Sequence, residues 1–386
     1  MKRFIAFLTR PALAVACAGC LVACRQNGEQ KTQSALYLGG DLSYVNEMED
    51  CGGKFRDNGL EVDPFALFSE KGANIVRVRL FHSPTWTHYS NLQDVTKTIR
   101  RTKAAGMKVL LDFHYSDDWA DPGDQIIPAA WKDIGDVVTL GDSLYQYTIA
   151  TLEALYKEGL VPEFVQVGNE TNSEILVQHH VDELTEPINW QRNVHLFNRG
   201  LDAVNDFNAK HAVAIQAMVH IAQPENAFAW FDSAFQHHIH DFEWIGLSYY
   251  PLWSQYKIDE AAGAIDSLKR LFNKRIMIVE TAYPYSLENY DSANNLLGDS
   301  AAVLDGYPPT PAGQLKYMQD LTAQVLAGGA EGVIYWEPAW ISTECRTRWG
   351  QGSHWENAAF FDAGNNNNAL PVFQFFRSAQ HRPSSD

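Results

Sequence analysis

Short runs of apolar and β-branched residues recur along the chain, each followed by a segment with helical length and spacing, and this alternation limits the fold more than any other feature. The runs are Tyr37–Asp41, Ile75–Leu80, Lys108–Phe113, Phe164–Val167, Ala212–Ala217, Trp244–Ser248, Arg275–Val279 and Gly332–Trp336. Val109-Leu110-Leu111 and Ile276-Met277-Ile278-Val279 are continuously apolar, as parallel strands covered on both faces require. Helical spacing is seen in Gln93–Ala105, Ser143–Glu158, Arg192–Ala209, Glu260–Phe272 and Gly313–Ala327, and Gly72, Gly106 and Gly159 stand where helices stop. No proline- or serine-rich linker divides residues 36–382, and no glycine-rich phosphate loop follows the first strand. The pattern predicts an α/β fold, a single-domain (β/α)8 TIM barrel with elongated βα loops, over a doubly wound open sheet. Asn365–Asn368 reads as a surface turn.

The beginning of the chain reads as an address. Lys2, Arg3 and Arg10 precede an apolar stretch, Pro11 to Ala23, too short to span a bilayer, the layout of a secretory signal over residues 1–23. Leu21-Val22-Ala23-Cys24 resembles the bacterial lipoprotein box, which makes Cys24 the lipidated residue and residues 24–35 a flexible tether. The expectation is an exported lipoprotein of the cell envelope, on the outer membrane or cell surface, held to the membrane through lipid on Cys24. Cys17 and Cys20 leave with the signal, so Cys51 and Cys345 remain in the folded part. They follow the first and last strands, neighbours in a closed barrel, so an oxidising compartment predicts a disulfide between them; two separate buried thiols are the alternative.

Lys and Arg number 30 against 47 Asp and Glu, and a formal charge of −17 repels phosphate backbones and polyanionic polysaccharides, so nucleic acid is not the expected partner. Aromatic residues make up 12% of the chain, 11 of them Trp, and their faces suit the apolar faces of sugars. In a barrel enzyme, chemistry-capable residues gather just past the C-terminal ends of several strands. Here these positions carry Asp41, Arg77 and Arg79, His114 through Trp119, Asn169-Glu170, Tyr249-Tyr250, Glu280 and Trp336-Glu337. Glu170 and Glu280 each end a buried apolar strand, where an ionised carboxylate costs several kcal/mol unless paired. Either they are functional or they form ion pairs with Arg77 or Arg79. Strands four and seven face each other across the barrel mouth, and carboxyl groups held there roughly 5–5.5 Å apart have the separation of retaining glycosidases.

These residues, with Gly39-Gly40-Asp41-Leu42-Ser43-Tyr44, Val76-Arg77-Val78-Arg79-Leu80, Asp112-Phe113-His114-Tyr115-Ser116-Asp117-Asp118-Trp119, Gln166-Val167-Gly168-Asn169-Glu170, Gly246-Leu247-Ser248-Tyr249-Tyr250-Pro251 and Trp336-Glu337-Pro338-Ala339-Trp340, resemble the arabinogalactan endo-β-1,4-galactanases, glycoside hydrolase family 53. The resemblance implies cleavage of β-1,4-galactan in arabinogalactan side chains of pectin by double displacement, with Glu170 as acid/base and Glu280 as nucleophile. It gives Asn169 and His114 to the sugar at the cleavage point and Trp336 to a stacking face. Arg79 and a tyrosine hydroxyl, from Tyr249 or Tyr250, would keep Glu280 ionised, and Asp41 and Trp119 complete the substrate set. Trp86, Trp131, Trp253 and Trp340 are further candidate platforms, with core packing the alternative for each.

No cofactor is expected for the chemistry. Oxygen-bearing side chains at alternate positions of Asn289–Asn295 have a spacing that wraps calcium, and the resemblance completes a structural site with Ser353 and Glu356. The ligand set implied is Asn289, Asp291, Asn295, Ser353 and Glu356, which departs from the family in Asn289, Ala293 and Glu356; a hydrogen-bonded turn is the alternative. Thr171–Leu176 also departs, after Glu170, from a longer family loop. The rival readings are a retaining barrel glycosidase acting on mannan, cellulose or β-1,3-galactan, and a surface lipoprotein that only captures glycan. A metal-dependent barrel hydrolase would need a His-x-His pair ending strand one, which is missing.

Overall fold

The structure, a computed structural model, describes residues 36–181, 186–348 and 350–380. The signal segment, the tether and Cys24 lie outside these residues. The eight barrel strands are β1 (Tyr37–Asp41), β2 (Ile75–Leu80), β3 (Lys108–Phe113), β4 (Phe164–Val167), β5 (Gln216–Ala222), β6 (Trp244–Ser248), β7 (Arg275–Glu280) and β8 (Gly332–Tyr335). All neighbours pair in parallel, and β1 pairs with both β2 and β8, so the sheet is closed. The helices that return the chain are α1 (Pro64–Lys71), α2 (Leu92–Ala104), α3 (Val137–Lys157), α4 (Trp190–His211), α5 (Pro224–Gln236), α6 (Ala261–Phe272), α7 (Pro311–Ala327) and the short α8 (Phe375–Gln380). Asp63, Asn91, Asp136, Asn189 and Thr310 cap five of them by accepting from a backbone N–H in the first turn. Gly72 ends α1 at φ 111°, a conformation open to glycine at little cost. Among the described residues no helix is long and apolar enough to cross a membrane.

The main departure from the sequence reading is the fifth strand, which begins at Gln216 and not at Ala212. Phe207 and Val204 keep α4 packed to its end at His211, and Ala212 stops it in the left-handed region at φ 53°. The Asn208 side chain then donates to Ile215 O and accepts from Ile215 N, holding residues 213–215 as a turn against the helix. An apolar run that suits a strand is thus used as a connection, and the strand lies four residues later.

The barrel interior has two levels. Its floor is a cluster with a side chain from every strand: Tyr37, Ile75, Leu110, Phe164, Met218, Trp244, Met277, Val279 and Ile334. Two residues further along β2, β3, β4 and β5 the inward side chain is Arg77, Asp112, Gln166 or His220, all buried. Period-two alternation within each strand therefore places a polar tier on an apolar floor. Asn366 and Asn367 take φ of 53° and 54°, forming the expected asparagine turn. The loops after β1 and β8 are joined by a disulfide, Cys51–Cys345, with Cα atoms 5.5 Å apart.

Candidate active site

At the C-terminal mouth of the barrel lies a cleft of about 670 Å³, whose lining includes Arg77, Arg79, His114, Trp119, Asn169, Glu170, Tyr250, Glu280 and Trp336. Glu280 reaches it through a bulge. Ile276 and Ile278 face the outer core while Met277 and Val279 face the barrel floor, so strict alternation would turn residue 280 outward. The register between β6 and β7 slips after Leu247↔Ile278, Ser248 opposes Glu280, and the extra residue, Val279, brings the carboxylate back inside. Glu170 arrives by a different device. Gly168 at φ 85° and Glu170 at φ 42° turn the chain sharply at the end of β4. A left-handed glutamate costs roughly 1–2 kcal/mol, so its surroundings must hold it there.

A carboxylate oxygen of Glu170, one of Glu280 and a ring nitrogen of His220 all lie within 4.8 Å of one another. Carboxyl oxygens this close fall short of the roughly 6.5–9.5 Å separation of inverting enzymes, and they suit attack by one carboxyl on a sugar that the other protonates. The charge is organised by Arg77. Its guanidinium meets Glu280 Oε1 at 2.8 Å, Asp112 Oδ2 at 2.8 Å and Asp41 Oδ2 at 3.0 Å, and it donates to Asn169 Oδ1 and Gln166 Oε1. Burial raises the Glu280 pKa well above the ordinary glutamate range, with Glu170, Asp112 and Asp41 pushing the same way and Arg77 opposing. The nearby Glu170 carboxyl thus adds to burial in making Glu280 hold its proton to higher pH than a lone carboxyl would. The guanidinium contact works against that burial and favours the ionised form of Glu280. Tyr250, raised by burial and by Glu280, stays a neutral donor 3.4 Å from Glu280 Oε2. Burial lowers His114 despite its contact with Asp112. Among the described residues the Glu170, His220 and Glu280 group is the one compact enough in His, Cys and acidic side chains to suggest a metal site. Arg77 already supplies its positive charge.

Three assignments from the sequence change. Arg79, one pleat nearer the rim, does not serve Glu280; it reaches across β1 to Glu337 Oε1 at 2.9 Å and lies 4.0 Å from the centre of the Trp119 ring. Tyr249 points outward because neighbouring residues alternate: it is fully buried in the outer core and donates to Tyr256 O, leaving Tyr250 as the cleft tyrosine. Asp41 lies beneath the cleft, binding Arg77 and Ser43, and supports the site without lining it. Of the candidate platforms, Trp119, Trp253 and Trp336 line the cleft, whereas Trp131 and Trp340 are buried. His220, Trp355, Gln223, Glu225, Asn172 and Leu296 also belong to the site or its rim and were not foreseen. The alternation Met218, His220, Ala222 was the available signal for His220, hidden by the misplaced strand.

The five candidate calcium ligands come together. Asp291 accepts from Ala293 N and Ser353 N, Glu356 Oε1 accepts from Tyr290 N and Asn295 Nδ2, and Asn289 Oδ1 accepts from Asn295. The Ser353 hydroxyl instead donates to Trp340 O and accepts from Trp355 N, so only its carbonyl is left for a cation. Asn295 Oδ1 and Glu356 Oε2 are buried oxygens without a hydrogen-bond partner, and burial pushes Glu356 up to about 7. Hard oxygen donors with unmet demand fit a calcium ion.

Residues 37–376 match the model of glycosyl hydrolase family 53. The chain is 54% identical over 359 residues to an arabinogalactan endo-beta-1,4-galactanase of Cellvibrio japonicus, covering 93% of this chain and 95% of that one. It is 31% identical to an endo-beta-1,4-galactanase of Bacillus subtilis, covering 89% and 85% respectively. Among solved structures, the GH53 catalytic domain of Ignisphaera aggregans superimposes with a TM-score of 0.80 at 30% identity, covering 89% of this chain and 96% of that one.

Replacing Arg77 by Leu tests the charge organisation. Asp41, Asp112 and Glu280 would lose their shared cation, and urea unfolding at neutral pH should show a loss of about 3–5 kcal/mol. Arg77 is what lowers Glu280 against burial, so without it the folded state favours the protonated carboxyl more strongly and loses more stability than the wild type as pH rises. The deficit should therefore be smaller at about pH 5 than at about pH 8; a deficit independent of pH would reject the scheme.

Proposed function

The chain belongs to glycosyl hydrolase family 53 and is a glycoside hydrolase, and from that premise we propose that it is an endo-acting β-1,4-galactanase working by double displacement with retention. The observation that carries the mechanism is the close carboxyl pair in which Glu280 is bridged to Arg77. Ionised Glu280 attacks the anomeric carbon of the sugar at the cleavage point. The bond from that carbon to O4 of the next galactose breaks as Glu170 hands its proton to the departing oxygen. Glycosylation removes the negative charge of Glu280, the influence that kept Glu170 protonated, so Glu170 becomes the base that takes a proton from water. The resulting hydroxide equivalent displaces Glu280 and restores both residues.

Arg77 also sets Asn169, whose carbonyl oxygen is turned to the guanidinium and whose amide N–H groups include one bonded to Ala120 O. This leaves a donor for the 2-hydroxyl of the sugar. Trp336, half-buried and held edge-on by Trp355, offers a face to the ring. The substrate carries no charge, so the acidity of the chain does not oppose its binding. Glu170→Gln and Glu280→Gln should each cut hydrolysis of linear β-1,4-galactan by about 10⁴-fold while the melting curve is retained. Mass spectrometry of the wild-type digest should give galacto-oligosaccharides, and NMR of the first products should show β-configured reducing ends. First products in the α configuration, or a polysaccharide panel cleaved at mannan or cellulose and not at galactan, would reject the proposal.

Two further parts of this reading concern the surroundings of the site. The loop cluster would hold a structural calcium through Asn289, Asp291, Asn295, Glu356 and the Ser353 carbonyl, supplying the charge that buried Glu356 lacks. Chelation should lower the melting temperature, and added calcium should restore it; an indifferent melting curve would sink the site. Lipid on Cys24 would hold the enzyme at the cell envelope, as the Leu21-Val22-Ala23-Cys24 sequence suggests. Labelled palmitate should enter the wild type and not Cys24→Ser, which should leave the membrane fraction; equal labelling would exclude this anchor.

A further inference from the structure

His220 has no part in the chemistry set out above, yet it lies at the centre of the buried tier. Its ring is fully buried, with Nδ1 facing Gln166 Nε2 at 3.0 Å, Asn169 Oδ1 at 3.0 Å and the Glu170 backbone N at 3.2 Å, and Nε2 at 2.9 Å from Ser248 Oγ. Both neighbouring amides are oriented by Arg77, which has donors only: Gln166 must turn Oε1 to its Nε, and Asn169 must turn Oδ1 to its Nη2. Gln166 therefore turns its amide nitrogen inward, one N–H going to Asp112 Oδ1 and the other lying 3.0 Å from both Gly168 O and His220 Nδ1, and it offers the ring only donors. The Glu170 backbone can only donate. Two donors converge on Nδ1, so that nitrogen accepts, and the ring proton sits on Nε2 and is given to Ser248. The 3.0 Å approach of Nδ1 to Asn169 Oδ1 is then a packing contact and not a hydrogen bond.

The charged and titratable groups that bear on this ring are Arg77 of β2, His114 after β3, Glu170 after β4 and Glu280 of β7. Burial, then Arg77 and His114, hold His220 well below the ordinary histidine range, so the ring stays neutral. The backbone carbonyl of the same residue accepts from Thr171 N at 3.0 Å and Thr171 Oγ1 at 3.1 Å. One residue of β5 thus grips the chain at 170 and at 171, where Glu170 adopts its left-handed φ of 42°. We propose that His220 is a positioning residue for Glu170: its ring, protonated on Nε2, accepts the Glu170 backbone N–H and fixes the turn that aims the acid/base carboxyl. This inference rests on the galactanase reading and adds to it a residue that touches no substrate.

The test separates loss of proton transfer from loss of structure. His220→Phe fills the space without an acceptor, and His220→Asn puts an amide oxygen near the Nδ1 position. Two substrates are compared: linear β-1,4-galactan, whose leaving sugar needs a proton, and an aryl β-galactobioside with a dinitrophenolate leaving group, which does not. In His220→Phe, kcat/KM should fall about 10²-fold on galactan and stay within about threefold on the aryl substrate, with kcat on the latter restored by azide. His220→Asn should recover most of the galactan activity. Ser248→Ala, which releases Nε2 and lets Nδ1 take the proton, should show the same split at about tenfold, and decides the matter if His220→Phe does not fold. Equal losses on both substrates, or no loss on either, would overturn the role of His220. Failure of the wild type itself to cleave galactan would instead reject the galactanase reading.

Discussion

A guanidinium without solvent must be met by carboxylates, and a guanidinium can only donate. These two facts about Arg77 govern the site. Its contacts with Asp41, Asp112 and Glu280 bind strands β1, β3 and β7 to β2 around one positive charge. Buried ion pairs of this kind contribute little net stability, because desolvation offsets attraction, but removing one partner is costly. The arrangement therefore serves specificity: it sets a cation against Glu280 and fixes which way the Gln166 and Asn169 amides turn. Through those amides it also fixes the tautomer of His220, one step removed from any charge.

The barrel supplies the frame that makes such a site affordable. Its floor is apolar and closed, with Trp244, Phe164 and Tyr37 packed edge to face. The polar tier stands directly on it, so its charges are shielded from water on one side and open to a ligand on the other. Low polarisability below strengthens each contact above, and it also raises the penalty for any group left unpaired. The two glutamates reach this tier by departures from regular geometry, a bulge at Val279 and a left-handed turn at Glu170. Backbone strain and register shifts concentrate where function needs a side chain aimed against the pattern of its strand.

The loops above the barrel are tied by other means. The Cys51–Cys345 disulfide links the loops after β1 and β8, and Arg348 pairs with Asp118 between the loops after β8 and β3. Arg348 also covers the Trp86 ring, which explains why that tryptophan is not a cleft platform. Position in a loop thus says little about the work of an aromatic residue: Trp119 and Trp253 face the cleft, while Trp131 and Trp340 fill the core beneath their own loops.

By itself the sequence determined the barrel, because alternation of apolar strands and capped helices is local and survives without any knowledge of contacts. It also determined the pair Glu170 and Glu280, since a carboxylate at the end of a buried strand is conspicuous in one dimension. Only the tertiary structure decided between Arg77 and Arg79, two arginines on the same face of one strand whose partners lie on different neighbours. It likewise separated Tyr249 from Tyr250, and brought His220 into the site once helix packing and the Asn208 bonds had moved the start of β5. The physical reason is common to all three: a residue type reveals what a side chain can bind, whereas register, bulges and the packing of distant strands determine what it meets.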